Sequence, residues 1–134
     1  VLTISAARRA VDAGARFIVS PHTDPELIAW CALGGVPCFP GALSPSEILA
    51  AWRAGASAVK LFPASSVGPG YLAHIAGPMP EVEMVPTGGV TAATAGEWMA
   101  AGAVAVGLGG WLIGDGEPAG VTERARHVAV AVAG

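Results

Sequence analysis

Short apolar runs alternate along the chain with Ala-rich stretches of helical period. The pattern predicts a helix over Thr3–Ala13, then a strand over Arg16–Ser20 that Pro21 ends. Asp24 caps a second helix, with Pro25 at its first position, running to about Leu33. Val36–Phe39 reads as a short strand closed by Pro40-Gly41. Ser44 and Glu47 stand at capping-box spacing and open a helix that ends at Gly55. Ser57–Phe62 is the next strand, followed by a loop rich in Gly and Pro and a short helix near Tyr71–Ala76. Val82–Val85 is a strand leading into Pro86-Thr87-Gly88-Gly89, and Thr91 caps a helix that reaches Ala101. Ala103–Val106 is expected as the last strand, with Gly107–Gly110 after it and a final helix over about Pro118–Val132.

The phrase Ala-Gly-Ala recurs at 13–15, 54–56 and 101–103, before the strands, as a glycine-terminated helix and a short link require. The expected strands start near 16, 36, 57, 82 and 103, and each interval holds one helix. Such a βα repeat makes the strands parallel and buried on both faces. Five units fit either a doubly wound open sheet or part of a (β/α)₈ TIM barrel, and their near-uniform length favours the barrel. A whole barrel typically takes about 250 residues. The 134 residues are therefore read as one domain, 1–134, covering about the last five βα units, with the units ahead of them expected to be missing.

Charged residues make up 13% of the chain and the net charge is -3. That balance excludes a disordered chain and gives no basic footprint for nucleic acid or an acidic membrane surface. The long uncharged stretches 27–46, 61–80 and 98–114 are broken by Pro or Gly, so no membrane span and no signal peptide are expected. Cys31 and Cys38 fall in different expected elements with no His cluster near them, which reads as two small buried residues rather than a disulfide or metal site.

The chain has seven basic residues, of which only Lys60 is a lysine, and it stands inside an apolar strand. Desolvation lowers the pKa of an amine, and a neutral amine can attack a carbonyl to form a Schiff base, as no guanidinium can. The competing reading is a lysine that snorkels from the strand end or pairs with a carboxylate. Thr87-Gly88-Gly89 and Gly107-Leu108-Gly109-Gly110 each follow a strand and precede a helix, a design that admits a phosphate to backbone N–H groups. His22, after Ser20-Pro21, faces the same end of the strands, either as a substrate contact or acid–base group or as a plain loop residue. His74 and His127 fall on helices and receive no role, and the four tryptophans read as packing residues.

The segment Ser57–Ala64 (SAVKLFPA) resembles the Schiff-base segment of the 2-keto-3-deoxy-6-phosphogluconate and 4-hydroxy-2-oxoglutarate aldolases. Ala15–Pro21, Pro40-Gly41 with Ser44–Glu47, Ile75–Pro78, Pro86–Val90 and Gly109–Leu112 match in the same order across essentially the whole chain. The resemblance implies a class I pyruvate aldolase on a TIM barrel, cytoplasmic and homotrimeric, needing no cofactor and no metal, and acting on a small keto acid in carbohydrate metabolism. It implies Lys60 as the Schiff-base lysine, Pro21, Phe62 and Thr87 as substrate contacts, and Gly88, Gly89, Gly109 and Gly110 as the phosphate site. Two positions depart from the family: His22 stands where it often has Gly, and Gly110 where it often has Ser. The family's general-base glutamate and a substrate-binding arginine lie on an earlier strand, and neither Glu26 nor Glu47, both in helical patterns, fills that place. The expected reaction is cleavage of 2-keto-3-deoxy-6-phosphogluconate or 4-hydroxy-2-oxoglutarate to pyruvate and an aldehyde. A phosphosugar isomerase and a non-catalytic barrel fragment are the alternatives.

Overall fold

A computed structural model describes residues 1–133. They form two compact units, one of residues 1–62 with 81–83, the other of residues 63–80 with those from 84 onward.

In the first unit, helix α1 (Ile4–Asp12) begins where the Thr3 hydroxyl accepts from the Ala6 N–H at 3.2 Å. Strand β1 (Ile18–Val19) follows, then α2 (Pro25–Leu33), whose first turn is closed by the Asp24 carboxylate accepting from Glu26 and Leu27 N–H groups. Strands β2 (Cys38–Phe39) and β3 (Gly41–Ala42) are separated only by Pro40. Pro40 has no N–H, so the ladder breaks there, but its carbonyl still accepts from Lys60 N–H at 2.9 Å. Residues 38–42 thus act as one strand in two pieces. On one side β2 pairs in parallel with β1, and on the other β3 pairs in parallel with β4 (Val59–Leu61). Helix α3 (Pro45–Arg53) carries the capping box expected of Ser44 and Glu47. Ile18, Leu27, Ile28, Ile48, Val59 and Leu61 form the core of this unit, each at most 1% exposed.

The second unit holds α4 (Pro69–Ala76), β5 (Met84–Pro86), α5 (Ala92–Ala100), the short α6 (Gly110–Ile113) and α7 (Pro118–Ala133). Helix α5 packs on α7, and Leu72, Met84, Val90, Ala95 and Trp98 are buried. Arg124 of α7 donates to the Leu112 and Ile113 carbonyls at 2.8 and 2.9 Å, which satisfies orphan acceptors at the end of α6.

The three Ala-Gly-Ala phrases share one geometry. Gly14, Gly55 and Gly102 have φ of 97°, 100° and 106°, and the residue after each donates back to the carbonyl five positions earlier. That is the Schellman close, which ends a helix and turns the chain toward the next strand. Gly35, with φ of 66°, ends α2 in the same way without the Ala-Gly-Ala spelling.

Two expectations need correction. Ala103–Val106 is not a strand: Val104 and Gly107 donate to the Met84 and Pro86 carbonyls, and a single parallel bridge joins Thr87 to Gly107. The alternating Ala and Val side chains matched the period of a strand, but two spaced hydrogen bonds and one bridge do not extend into a ladder. The run Gly107–Gly110 is not all loop either, because Gly110 already starts α6. Beyond the expected elements, a 3₁₀ turn spans Ala64–Ser66 in the loop after β4.

Candidate active site

Strand periodicity puts Lys60 and Phe62 on one face, and the Lys60 ammonium lies 4.4 Å from the centre of the Phe62 ring. Opposite Lys60 in the register is Gly41, which presents no side chain. Lys60 is half-buried, and burial lowers its pKa from the ordinary 10.5. Among the described residues the one ion pair is Arg124 with Asp115, at 3.9 Å, so no carboxylate holds the Lys60 charge. Among the described residues, the contact recorded for its amine is the face of the Phe62 ring.

The chain after β1 is clamped against this strand. A Cβ on Gly41 would collide with the Pro21 backbone carbonyl group, so only glycine allows the approach. The Thr23 hydroxyl donates to the Gly41 carbonyl at 3.0 Å and fixes the turn from the other end. Ser20 is fully buried, with its hydroxyl oxygen against His22. The result is an open cavity of about 500 Å³ lined by Pro21, His22, Thr23, Ser46, Glu47 and Phe62 among others. Pro21 and Phe62 are thus brought together as expected, and His22 joins them. Gly41, Thr23 and Ser20 were missed as positioning residues. The Pro-Gly pair at 40–41 was visible, but nothing in the sequence showed which backbone would come close to it.

Glu47 lines the cavity but is committed to the helix. One carboxylate oxygen accepts from the Leu43 and Ser44 N–H groups and from the Ser44 hydroxyl, at 2.8 to 3.1 Å. The Ser44 and Leu43 amides hold its carboxyl below the ordinary value of 4.5. A carboxylate so stabilised is a poor proton acceptor. Cys31 and Cys38 are both buried free thiols. Burial pushes the Cys38 thiol up to about 12, which keeps it from acting as a thiolate nucleophile.

In the second unit, Thr87 directly follows β5 and its hydroxyl donates to the Val85 carbonyl at 3.2 Å. Gly107 lies so close to Thr87 that a Cβ there would meet the hydroxyl. Gly88 and Gly89 both have positive φ, 91° and 81°, and Gly89 rests against Ser65 of the 3₁₀ turn, which donates its N–H to the Gly88 carbonyl at 2.9 Å. Gly109 and Gly110 stand in open space: a Cβ on either meets nothing within 4 Å. Among the described residues, the N–H groups of Gly89, Gly109 and Gly110 are not recorded as donating to a backbone carbonyl. No three His, Cys, Asp or Glu side chains among the described residues gather to hold a metal ion. No helix among them is long and apolar enough to cross a membrane.

A half-buried lysine thus stands on a parallel strand of an α/β fold, beside a cavity at the carboxyl ends of the neighbouring strands. Residues 1–122 match the family model described as KDPG and KHG aldolase, and the chain belongs to that family. It is 39% identical over 127 residues to a probable 2-dehydro-3-deoxy-6-phosphogalactonate aldolase of Rhizobium meliloti, covering 93% of this chain and 60% of that protein. It is 40% identical over 114 residues to the 2-dehydro-3-deoxy-phosphogluconate aldolase of Treponema pallidum, covering 84% of this chain and 54% of that one. The chain thus spans little more than half the length of the curated relatives it matches. Among solved structures, a native KDPGal structure superposes with a TM-score of 0.92 at 29% identity, over 98% of this chain and 65% of that one. A KDPG aldolase of Legionella pneumophila, with pyruvate captured as a covalent carbinolamine intermediate, superposes with a TM-score of 0.79 at 29% identity, over 99% of this chain and 65% of that one. The fold is accordingly TIM-barrel-like α/β, which decides between the two architectures the repeat allowed.

Proposed function

We propose that this chain carries the lysine-bearing part of a Schiff-base aldolase. The enzyme would cleave 2-keto-3-deoxy-6-phosphogluconate or 4-hydroxy-2-oxoglutarate to pyruvate and glyceraldehyde 3-phosphate or glyoxylate. The observation that carries this reading is Lys60, half-buried on β4 with its pKa lowered and, among the described residues, no carboxylate paired with it. A carbinolamine is what an amine gives with a ketone, so the captured intermediate in the Legionella relative supports the same assignment.

The neutral Lys60 amine adds to the C2 carbonyl, and loss of water leaves a protonated imine. The C3–C4 electrons flow into that imine as the C4 hydroxyl loses its proton to a base, releasing the aldehyde and leaving an enamine. Protonation at C3 and hydrolysis return pyruvate and the free lysine. Pro21 and Phe62 would border the pyruvate part, and Thr87 would contact substrate. The N–H groups of Gly88, Gly89, Gly109 and Gly110 would receive a phosphate. The base is none of the glutamates singled out here, since Glu47 is held by its helix cap and Glu26 lies in the first turn of α2. We place the enzyme in the cytoplasm as a homotrimer on a complete barrel.

Lys60→Arg keeps a positive charge but removes the nucleophile, because guanidinium is not deprotonated in proteins. In the whole protein this variant should release no pyruvate above background from 2-keto-3-deoxy-6-phosphogluconate. Turnover within about tenfold of the parent enzyme, under 1.4 kcal/mol of lost stabilisation, would contradict the mechanism.

A further inference from the structure

The Ser20 hydroxyl oxygen has three partners, all on His22: the ring Nδ1 at 2.9 Å, the carbonyl oxygen at 2.9 Å and the backbone N–H at 3.3 Å. A hydroxyl has one proton to give. The carbonyl can only accept, so the proton goes to it; given to Nδ1 instead, it would leave two oxygens facing each other at 2.9 Å. The Ser20 oxygen then accepts from the His22 N–H and from Nδ1–H. This arrangement alone satisfies all three contacts, and it fixes the neutral ring as the Nδ1–H tautomer. Nε2, on the opposite edge, keeps a free lone pair and has no partner among the described residues.

His22 is exposed and lines the same cavity as Pro21, Thr23 and Phe62. It is one residue from Pro21, which rests on Gly41, and Gly41 stands opposite Lys60 in the register. The Phe62 ring is shared between the cavity and the lysine amine. Thr23 and Gly41 pin the turn at both ends, and buried Ser20 pins the ring.

We propose that His22 is a specificity-determining residue whose Nε2 accepts a hydrogen bond from a hydroxyl on the carbon chain of the keto acid. This rests on the aldolase reading and names the substrate class it prefers: 2-keto acids with a hydroxyl beyond C3, over pyruvate itself. His22→Phe removes the acceptor while leaving an aromatic ring. His22→Gln supplies a new acceptor from its amide carbonyl. Ser20→Ala leaves the imidazole in place but frees its tautomer.

The test measures half-saturation of borohydride-trapped adduct with pyruvate and with 4-hydroxy-2-oxoglutarate. It also follows the His22 ring nitrogens by ¹⁵N NMR. His22→Phe should raise half-saturation for the hydroxylated acid about 3- to 10-fold, the worth of a neutral hydrogen bond, and leave pyruvate within about twofold. Ser20→Ala should shift it in the same direction by less, and His22→Gln should recover part of the loss. In the parent chain the ring should show the Nδ1–H tautomer, and 4-hydroxy-2-oxoglutarate should move the Nε2 resonance where pyruvate does not. Equal losses for both acids, an Nε2–H tautomer or an Nε2 signal indifferent to the hydroxylated acid overturns the proposal. A missing adduct with the Nε2 response intact would fault the Lys60 mechanism and sustain the His22 contact.

Discussion

At the scale of single residues, Lys60 shows how composition can carry chemistry. In a chain that uses arginine elsewhere, one lysine on an apolar strand stands out in the sequence, and in the structure it is half-buried. Because burial lowers its pKa, the free amine appears at lower pH than for an exposed lysine. The rate of imine trapping should therefore rise with pH and level off below 10.5, the ordinary lysine value; a profile still climbing there contradicts the assignment. The glycines were legible only in part. At Gly89 an added Cβ meets Ser65 at 2.6 Å, and the φ of 81° is strained for any other residue. A loss of binding in Gly89→Ala would thus report the clash with Ser65 and leave the anion question open. Gly110 is the cleaner probe, since a side chain there enters open space. Gly110→Ser should lower the Michaelis constant for phosphorylated substrate in the whole enzyme, up to roughly a hundredfold for a charge-assisted bond of about 1.5–3 kcal/mol. Equal effects on 4-hydroxy-2-oxoglutarate would show that position 110 does not meet the phosphate.

At the scale of elements, helices were read from sequence far better than strands. Their ends are written in local chemistry: Asp24 before Pro25, Ser44 three residues before Glu47, and glycine after the last turn all work within a few residues. Strands depend on partners elsewhere in the chain, so the six residues 57–62 shrink to the three of β4, and Ala103–Val106 fails to pair as a strand. The break of 38–42 at Pro40 was likewise hidden, because a proline closes a strand in one setting and only interrupts its ladder in another. The α3 cap gives two measurable consequences. Ser44→Ala should cost about 0.5–2 kcal/mol in a denaturant melt, the usual worth of an N-cap. Glu47 has a depressed pKa in the folded chain, so its contribution is present above the ordinary value of 4.5 and is lost as pH falls through the folded value. Glu47→Gln should remove that acid-sensitive part, leaving a melting temperature that falls less steeply in this window; an unchanged slope would show that the cap carboxylate does not couple to folding.

At the scale of the whole molecule, repeat length pointed to a barrel, and the likeness to solved aldolases upholds the TIM-barrel-like fold. Phe17 and Val19, at the β1 end of the first unit, are 57% and 37% exposed, and Leu2 is 61% exposed. Apolar groups beside a strand edge invite pairing with another chain. The 134-residue chain should therefore self-associate in light scattering at micromolar concentration, and Phe17→Lys should reduce that; a monodisperse monomer would contradict this account of the β1 face. The central claim is the Lys60 amine, and the sequence makes its test clean, since these 134 residues hold a single lysine. Reduction with borohydride in the presence of pyruvate, followed by peptide mapping, should place one covalent adduct on Lys60. An adduct elsewhere with Lys60 unmodified, or none at all, would contradict the Schiff-base account.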